Sequence, residues 1–171
     1  MRSLILSYFL VIGVFSNAQS SWNTSTRVGY NRIGLGFDQT IGYSFGNKKE
    51  HTIAFGAKWY WIDVVFAKET VGLTFDYRFN FRADEMPMQF SLGFNCNGFW
   101  ERFNNTGSRI ADLSIYNRGT LQIGGRLEPF YEIGAGIVVH NSTTTAQNHK
   151  SSYFNYNVYI GLNIKLGSTN E

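Results

Sequence analysis

Long stretches of this chain alternate, residue by residue, between large apolar side chains and small or polar ones. From Thr70 the pattern is cleanest: Val71, Leu73, Phe75, Tyr77, Phe79 and Phe81 alternate with Thr70, Gly72, Thr74, Asp76, Arg78 and Asn80. A period of two is what a β-strand with two unlike faces requires, whereas helical faces repeat every 3.6 residues. Met88, Phe90, Leu92, Phe94 and Cys96 alternate in the same way with Gln89, Ser91, Gly93, Asn95 and Asn97. Over Tyr153–Leu166, Phe154, Tyr156, Val158, Ile160, Leu162, Ile164 and Leu166 oppose Tyr153, Asn155, Asn157, Tyr159, Gly161, Asn163 and Lys165. A looser version starts at Thr52, with Ile53, Phe55, Ala57, Trp59 and Trp61 on one face.

A soluble antiparallel sheet also alternates, with one face on a core and one in water. Three details favour a membrane. Several segments exceed the five or six residues of ordinary strands and suit a tilted transmembrane span. Their apolar faces are large and uninterrupted. Their polar faces carry Gly, Ser, Asn and charges of both signs, the mix that fills a narrow barrel lumen. No stretch after the N-terminus approaches eighteen consecutive apolar residues, so helical membrane spans are excluded. Aromatic residues at 17% and 18 glycines against 2 prolines agree with strands joined by turns.

The expected fold is therefore all-β: an up-and-down antiparallel transmembrane β-barrel of about eight strands. The segments are Trp22–Gly29, Arg32–Phe45, Thr52–Trp61, Thr70–Phe81, Met88–Gly98, Leu113–Gly124, Pro129–His140 and Tyr153–Leu166. Short turns at Asn47–His51, Arg82–Pro87 and Gly125–Glu128 alternate with longer or more polar connections at Val64–Glu69, Phe99–Asp112 and Asn141–Ser152. Short periplasmic turns and longer outer loops follow the outer-membrane rule, and an even strand count leaves both termini in the periplasm. Aromatics near segment ends (Tyr43, Phe45, Trp59–Trp61, Phe79, Phe81, Phe99, Trp100, Phe130 and Tyr131) are expected to form interfacial girdles.

The first eighteen residues form no part of that barrel. Met1 and Arg2 precede an apolar run from Leu4 to Phe15, and Ser16-Asn17-Ala18 supplies small residues for cleavage after Ala18. Such a run covers about 18 Å of helix, short of a ~30 Å hydrocarbon core. The reading is a signal peptide at 1–18 and a barrel domain at 19–171, in the outer membrane after export. Without Arg2, of the 15 basic residues fourteen remain against 12 acidic ones, too weak and scattered a charge to argue for nucleic acid. The lone Cys96 can build neither a disulfide framework nor a cysteine zinc site.

Lys58, Asp76, Arg78, Arg126, Glu132 and Lys165 are the candidate lumen charges. Eight strands enclose an interior filled by side chains, so buried charges there must pair with one another. The reading is a structural salt-bridge network, with a proton or ion path as the alternative. Two polar connections, Phe99–Phe103 with its Glu101/Arg102 pair and Asn141–Thr145 followed by Gln147-Asn148-His149, are candidate contacts for a protein partner or for lipopolysaccharide head groups. His51, His140 and His149 share no metal-ligand spacing, and no cofactor or metal is expected. Gly34-Leu35-Gly36 and Gly134-Ala135-Gly136 lie inside strands and are no phosphate loops.

The leader, strand pattern and end near Leu166 resemble the small eight-stranded outer-membrane barrel families, especially those of Bacteroidota. Glu128-Pro129-Phe130-Tyr131-Glu132-Ile133-Gly134-Ala135-Gly136, with Tyr153-Phe154-Asn155-Tyr156 and Ile160-Gly161-Leu162, resembles the C-terminal hairpin of lipid A 3-O-deacylase (acyloxyacyl hydrolase-like) barrels. That resemblance implies a membrane-embedded triad of a His-x-Ser pair and a downstream acid. His140-Asn141-Ser142 matches the pair, with His140 as base and Ser142 as nucleophile, but no Asp or Glu follows Ser142 before Glu171. Alternation also turns Tyr131, Ile133, Ala135, Ile137 and Val139 toward lipid, which leaves His140 and Ser142 on the other face or in the loop. The sequence therefore reads as a non-enzymatic barrel, with a lipid A esterase as the alternative.

Overall fold

The computed structural model describes residues 22–46, 49–63, 70–81, 87–103, 106–123, 126–143 and 148–166, apart from the side chains of 61–63, 100–108 and 142–149. The leader expected at 1–18 lies outside the described residues. Eight strands follow in chain order: β1 (Trp22–Asn31), β2 (Gly34–Phe45), β3 (His51–Asp63), β4 (Thr70–Phe81), β5 (Met88–Phe103), β6 (Thr106–Leu121), β7 (Leu127–Thr143) and β8 (Asn148–Leu166). Each pairs antiparallel with its sequence neighbour, and β1 pairs with β8 from Trp22↔Leu166 to Asn31↔Asn157, so the sheet closes. The expected up-and-down eight-stranded barrel is the observed fold.

The β1–β2 connection is a tight reversal at Arg32–Ile33. The Asn31 side-chain oxygen accepts the backbone N–H groups of Ile33 and Gly34 at 2.8 and 3.1 Å, the local bonding that makes Asn a turn former. This turn marks the upper end of the barrel. The lower end is where β1 begins and β8 finishes. In β3, Leu35 pairs with Ile62 while Gly36 pairs with Tyr60, so a bulge at Trp61 shifts the register near the upper rim.

Two expected long connections are absent. The segment read as a Phe99–Asp112 loop is paired strand on both sides, and β5 and β6 stay in register to Phe103↔Thr106. Likewise β7 and β8 continue to Thr143↔Asn148, and β6 pairs with β7 as far as Gly107↔Thr143. Polar residues there extend the ladder because hydrogen-bonded pairing satisfies the backbone whatever side chains the strand carries. The asymmetry between the two ends thus comes from strand length rather than loop length. β5 to β8 run 16, 16, 17 and 19 residues, whereas β1 to β4 run only 10 to 13. Half of the wall stands above the other half at the upper end.

The two faces of that wall invert the distribution of a soluble protein. Phe55, Leu73, Ile115, Ile133, Ile137, Phe154 and Ile160 are all more than half exposed, within a continuous outward belt. A soluble monomer rarely exposes apolar patches beyond a few hundred Å². Arg27, Lys58, Asp76, Asp112 and Glu132, by contrast, are buried inside. Tyr43, Phe45, Phe79 and Phe81 point outward near the lower rim, as expected of a girdle. Tyr60, Phe99 and Phe130 do not: they share the inward parity and are buried in the lumen.

Ile160 is 64% exposed near the middle of the β8 belt, so it separates the two kinds of surroundings. In lipid, Ile160→Arg is expected to cost about 2–4 kcal/mol. On a water-exposed face the same change would stay within about 0.5 kcal/mol. Urea unfolding of the protein folded into lipid vesicles distinguishes the outcomes.

Candidate functional site

Four cations and five carboxylates are buried among the described residues: Arg27, Lys58, Arg78 and Arg118 against Asp38, Asp76, Asp112, Glu132 and, at the lower rim, Glu128. Arg27 on β1 is the hub. Its Nη1 donates to both Glu132 carboxylate oxygens at 2.7 Å, and Nη2 donates to Asp38 at 2.9 Å. Asp76 lies 3.6 Å from the same guanidinium. Arg118 shares Glu132 from the other side at 2.8 Å and stacks 4.0 Å above the Phe130 ring. Asp76 also accepts the Tyr116 hydroxyl at 2.6 Å and faces Arg78 at 3.4 Å. Strands β1, β2, β4, β6 and β7 thus meet through one guanidinium and its carboxylates.

Lys58 stands opposite Asp38 across the β2–β3 ladder, its ammonium 4.8 Å from the Tyr159 ring centre and 5.5 Å from that of Tyr60. A cation between two ring faces keeps an electrostatic partner without water. Above it lies an amide layer. Asn97 and Asn155 each donate to Asp112 at 3.0 Å, and Asn31 donates to the Tyr60 and Tyr159 hydroxyls. The top is closed by apolar side chains: Ile33, Tyr60, Phe99, Ile110 and Val138, with Tyr153 packed against them. The lower rim is polar, with Ser44, Thr52, Asn80 and Ser91 bonded in series and Glu128 held by Lys165 at 2.7 Å.

Inward glycines make room for these groups. Each of Gly29, Gly36, Gly72, Gly93 and Gly161 lies directly across the ladder from an inward aromatic, respectively Tyr159, Tyr60, Phe99, Tyr116 and Phe130. The ring lies over the glycine: a Cβ on Gly93 would come 2.1 Å from the Tyr116 ring, and one on Gly29 2.3 Å from that of Tyr159. Bulk on one strand and its absence on the next is how a narrow barrel is packed without voids.

Of the six charges read from the sequence, Lys58, Asp76, Arg78 and Glu132 lie inside and are brought together. Arg126 is exposed just before β7, and Lys165 has a side chain 46% exposed on the lower rim beside Glu128, so neither belongs to the central network. Arg27, Asp38, Asp112 and Arg118 belong to it and were not among the six. Among the described residues no group of three or more His, Cys, Asp or Glu could hold a metal.

His140 and Ser142 lie on β7 itself, not in a loop. His140 is half-buried on the inward face, across from Ile110 and Ser151. In backbone register Ser142 stands across from Ser108 on one side and His149 on the other, and Ser108 stands across from Glu101. The side chains of these four are not among those described.

The Arg27 hub predicts a large mutational effect. Arg27→Leu removes the cation that Glu132, Asp38 and Asp76 share, leaving Glu132 to Arg118 and Asp76 to Arg78 alone, and is expected to cost about 3–5 kcal/mol. Adding Glu132→Gln should return part of that loss, because one of the carboxylates that shared the cation is removed. Arg126→Ala should stay within about 0.5 kcal/mol. Urea titration of the three proteins in vesicles checks the order.

Among solved structures, the chain is similar to the N-terminal β-barrel domain of Pseudomonas aeruginosa OprF, at TM-score 0.54 and 11% identity, over 85% of this chain and 98% of that one. A major outer membrane protein from Thermus thermophilus is similar at TM-score 0.48 and 10% identity, over 84% and 98% of the two chains. No protein-family model and no curated protein matches the chain. The likeness to the OprF domain is one of fold: an antiparallel barrel closed on itself, of the kind found in outer-membrane proteins.

Proposed function

We propose that this chain is a non-enzymatic outer-membrane barrel, exported behind a leader at 1–18, that anchors a paired wall at the cell surface. The carrying observation is the inverted distribution of polarity. A continuous apolar exterior around a buried, charge-paired interior is stable only where the outside is hydrocarbon. A lumen filled from the lower-rim hydroxyls to the apolar cap favours an anchoring role over a channel. The greater height of β5 to β8 favours the upper end as the outer one, with both termini in the periplasm. The wall there is the surface offered to envelope lipid or to a protein partner.

The lipid A esterase remains the second reading because the register gathers Glu101, Ser108, Ser142 and His149 into one row. Against it stands the inward face of His140, since a deacylase must present base and nucleophile to an ester at the lipid boundary. Native protein and Ser142→Ala, expressed in one host, are expected to leave identical lipid A acyl profiles by mass spectrometry. A 3-O-linked chain lost with the native protein alone would establish the esterase.

Orientation and export are tested together. In a Cys96→Ala background, Asn141→Cys is expected to react with a membrane-impermeant maleimide on intact cells, and Lys49→Cys is not. The labelled product should have the mass of a chain starting at Gln19. The reverse labelling pattern would place the termini outside, and a mass retaining residues 1–18 would remove the export argument.

A further inference from the structure

The outward face of β5 to β8 changes character in two steps toward the upper end. The register row Cys96, Leu113, Ile137 and Phe154 is wholly apolar. The next outward row, Gly98, Ala111, Val139 and Ser152, is small or mixed, and the one above carries Arg109, Asn141 and Lys150. Successive outward rows are about 7 Å apart along a strand. Arg109, Asn141 and Lys150 are therefore exposed side chains one to two rows above the hydrocarbon-facing surface, at the depth of lipid head groups.

Arg109 and Lys150 are the only charged residues among the described outward positions of β5 to β8. Neither takes part in an ion pair among the described residues. Asp112, the nearest described carboxylate in sequence to Arg109, is buried inside and held by Asn97 and Asn155. The lower rim is different: there Lys165 is neutralised by Glu128 at 2.7 Å, and Lys49 is followed by Glu50. Strand spacing puts the Arg109 and Lys150 backbones about 10 Å apart with Asn141 between them. Both side chains are long enough to converge on one anion over the Asn141 amide.

We propose that Arg109, Asn141 and Lys150 form a binding site for the phosphate of an anionic membrane lipid, whose acyl chains lie along Leu113, Ile137 and Phe154 below. Guanidinium donors match phosphate oxygens in pairs, the ammonium adds a mobile charge, and the amide adds a neutral donor. The wholly apolar row two steps beneath the cations selects an amphiphile over free phosphate. The proposal rests on the membrane reading above, but the site itself does not depend on which leaflet the upper end faces.

The test is native mass spectrometry of the folded protein in detergent with bisphosphorylated lipid A as the probe. Each cation near a charged lipid surface is worth about fivefold in affinity, so Arg109→Gln with Lys150→Gln should lower retention about twenty-fivefold. Lysines of the lower rim serve as the control, and Lys49→Gln with Lys165→Gln should retain lipid A as the native protein does. Lipid A stripped of its phosphates should bind native protein and the upper-row variant equally weakly. Equal retention by native and upper-row proteins would overturn the site. So would an equal loss in the lower-rim variant, or undiminished binding of the dephosphorylated lipid. Lys150→Gln alone, expected to lose about fivefold, keeps the test open if the double variant folds poorly. The maleimide pattern of Asn141→Cys reads orientation independently, so a failure of that reading is distinguishable from a failure of the site.

Discussion

The ladder between β1 and β8 is the contact on which everything else depends. In hydrocarbon an unpaired backbone N–H or C=O costs several kcal/mol, and no water is present to relieve it. A sheet of eight strands with two open edges would leave two rows of such groups. Pairing Trp22–Asn31 with Asn157–Leu166 removes both. Closure at eight strands then fixes a narrow interior, and a narrow interior must be filled by side chains. The glycines opposite Tyr60, Phe99, Tyr116, Phe130 and Tyr159 follow from that, since each of these rings lies over the neighbouring strand where a Cβ would stand.

Charges fill the centre for a reason that stability alone does not supply. A buried ion pair contributes little net stability over apolar groups of the same size, while a stranded charge is very costly. That asymmetry makes the network a register lock. A one-residue slip of any strand turns its inward residues out. Such a slip in β1 would carry Arg27 onto the apolar outer face and take the shared cation from Glu132, Asp38 and Asp76. An apolar interior inside an apolar exterior would tolerate the same slip, because its two faces would be alike. The pairing of these buried cations and carboxylates lets one register be satisfied and makes its neighbours expensive.

Strand pattern was legible wherever the two faces differed strongly, as in β4, whose expected bounds of Thr70–Phe81 are the observed ones. Arg27 was missed because both faces of β1 are polar. Outward Thr24 and Thr26 alternate with inward Asn23, Ser25 and Arg27, so parity gives no contrast. The structure shows how that outward polarity is tolerated. Thr26 donates to Gln39 at 2.5 Å, Gln39 donates to Thr24 at 2.7 Å, and Thr24 donates to the Thr40 carbonyl at 3.0 Å. Arg118 was hidden by outward Asn117, and Asp112 by a polar stretch that reads as loop but pairs as strand. The inward rings resemble a girdle in sequence because Tyr and Phe suit both places, and only the glycine across the ladder tells them apart. Each miss has one cause: partners on neighbouring strands are set by register, which a single strand's pattern does not contain.

The extended wall of β5 to β8 shows what register provides beyond closure. A flexible loop presenting Arg109, Asn141 and Lys150 would have to order its backbone on each encounter, at about 1–2 kcal/mol per residue fixed. On paired strands that ordering is complete before any ligand arrives, and neighbouring positions are spaced by the ladder itself at about 4.8 Å. Preorganisation of this kind lets a few weak, solvent-exposed contacts act together. It also explains why polar sequence above the belt stays in strand conformation: continuing the ladder satisfies the backbone and fixes the side chains in one step. The same hydrogen bonds that hold the barrel shut carry a rigid surface beyond its apolar belt.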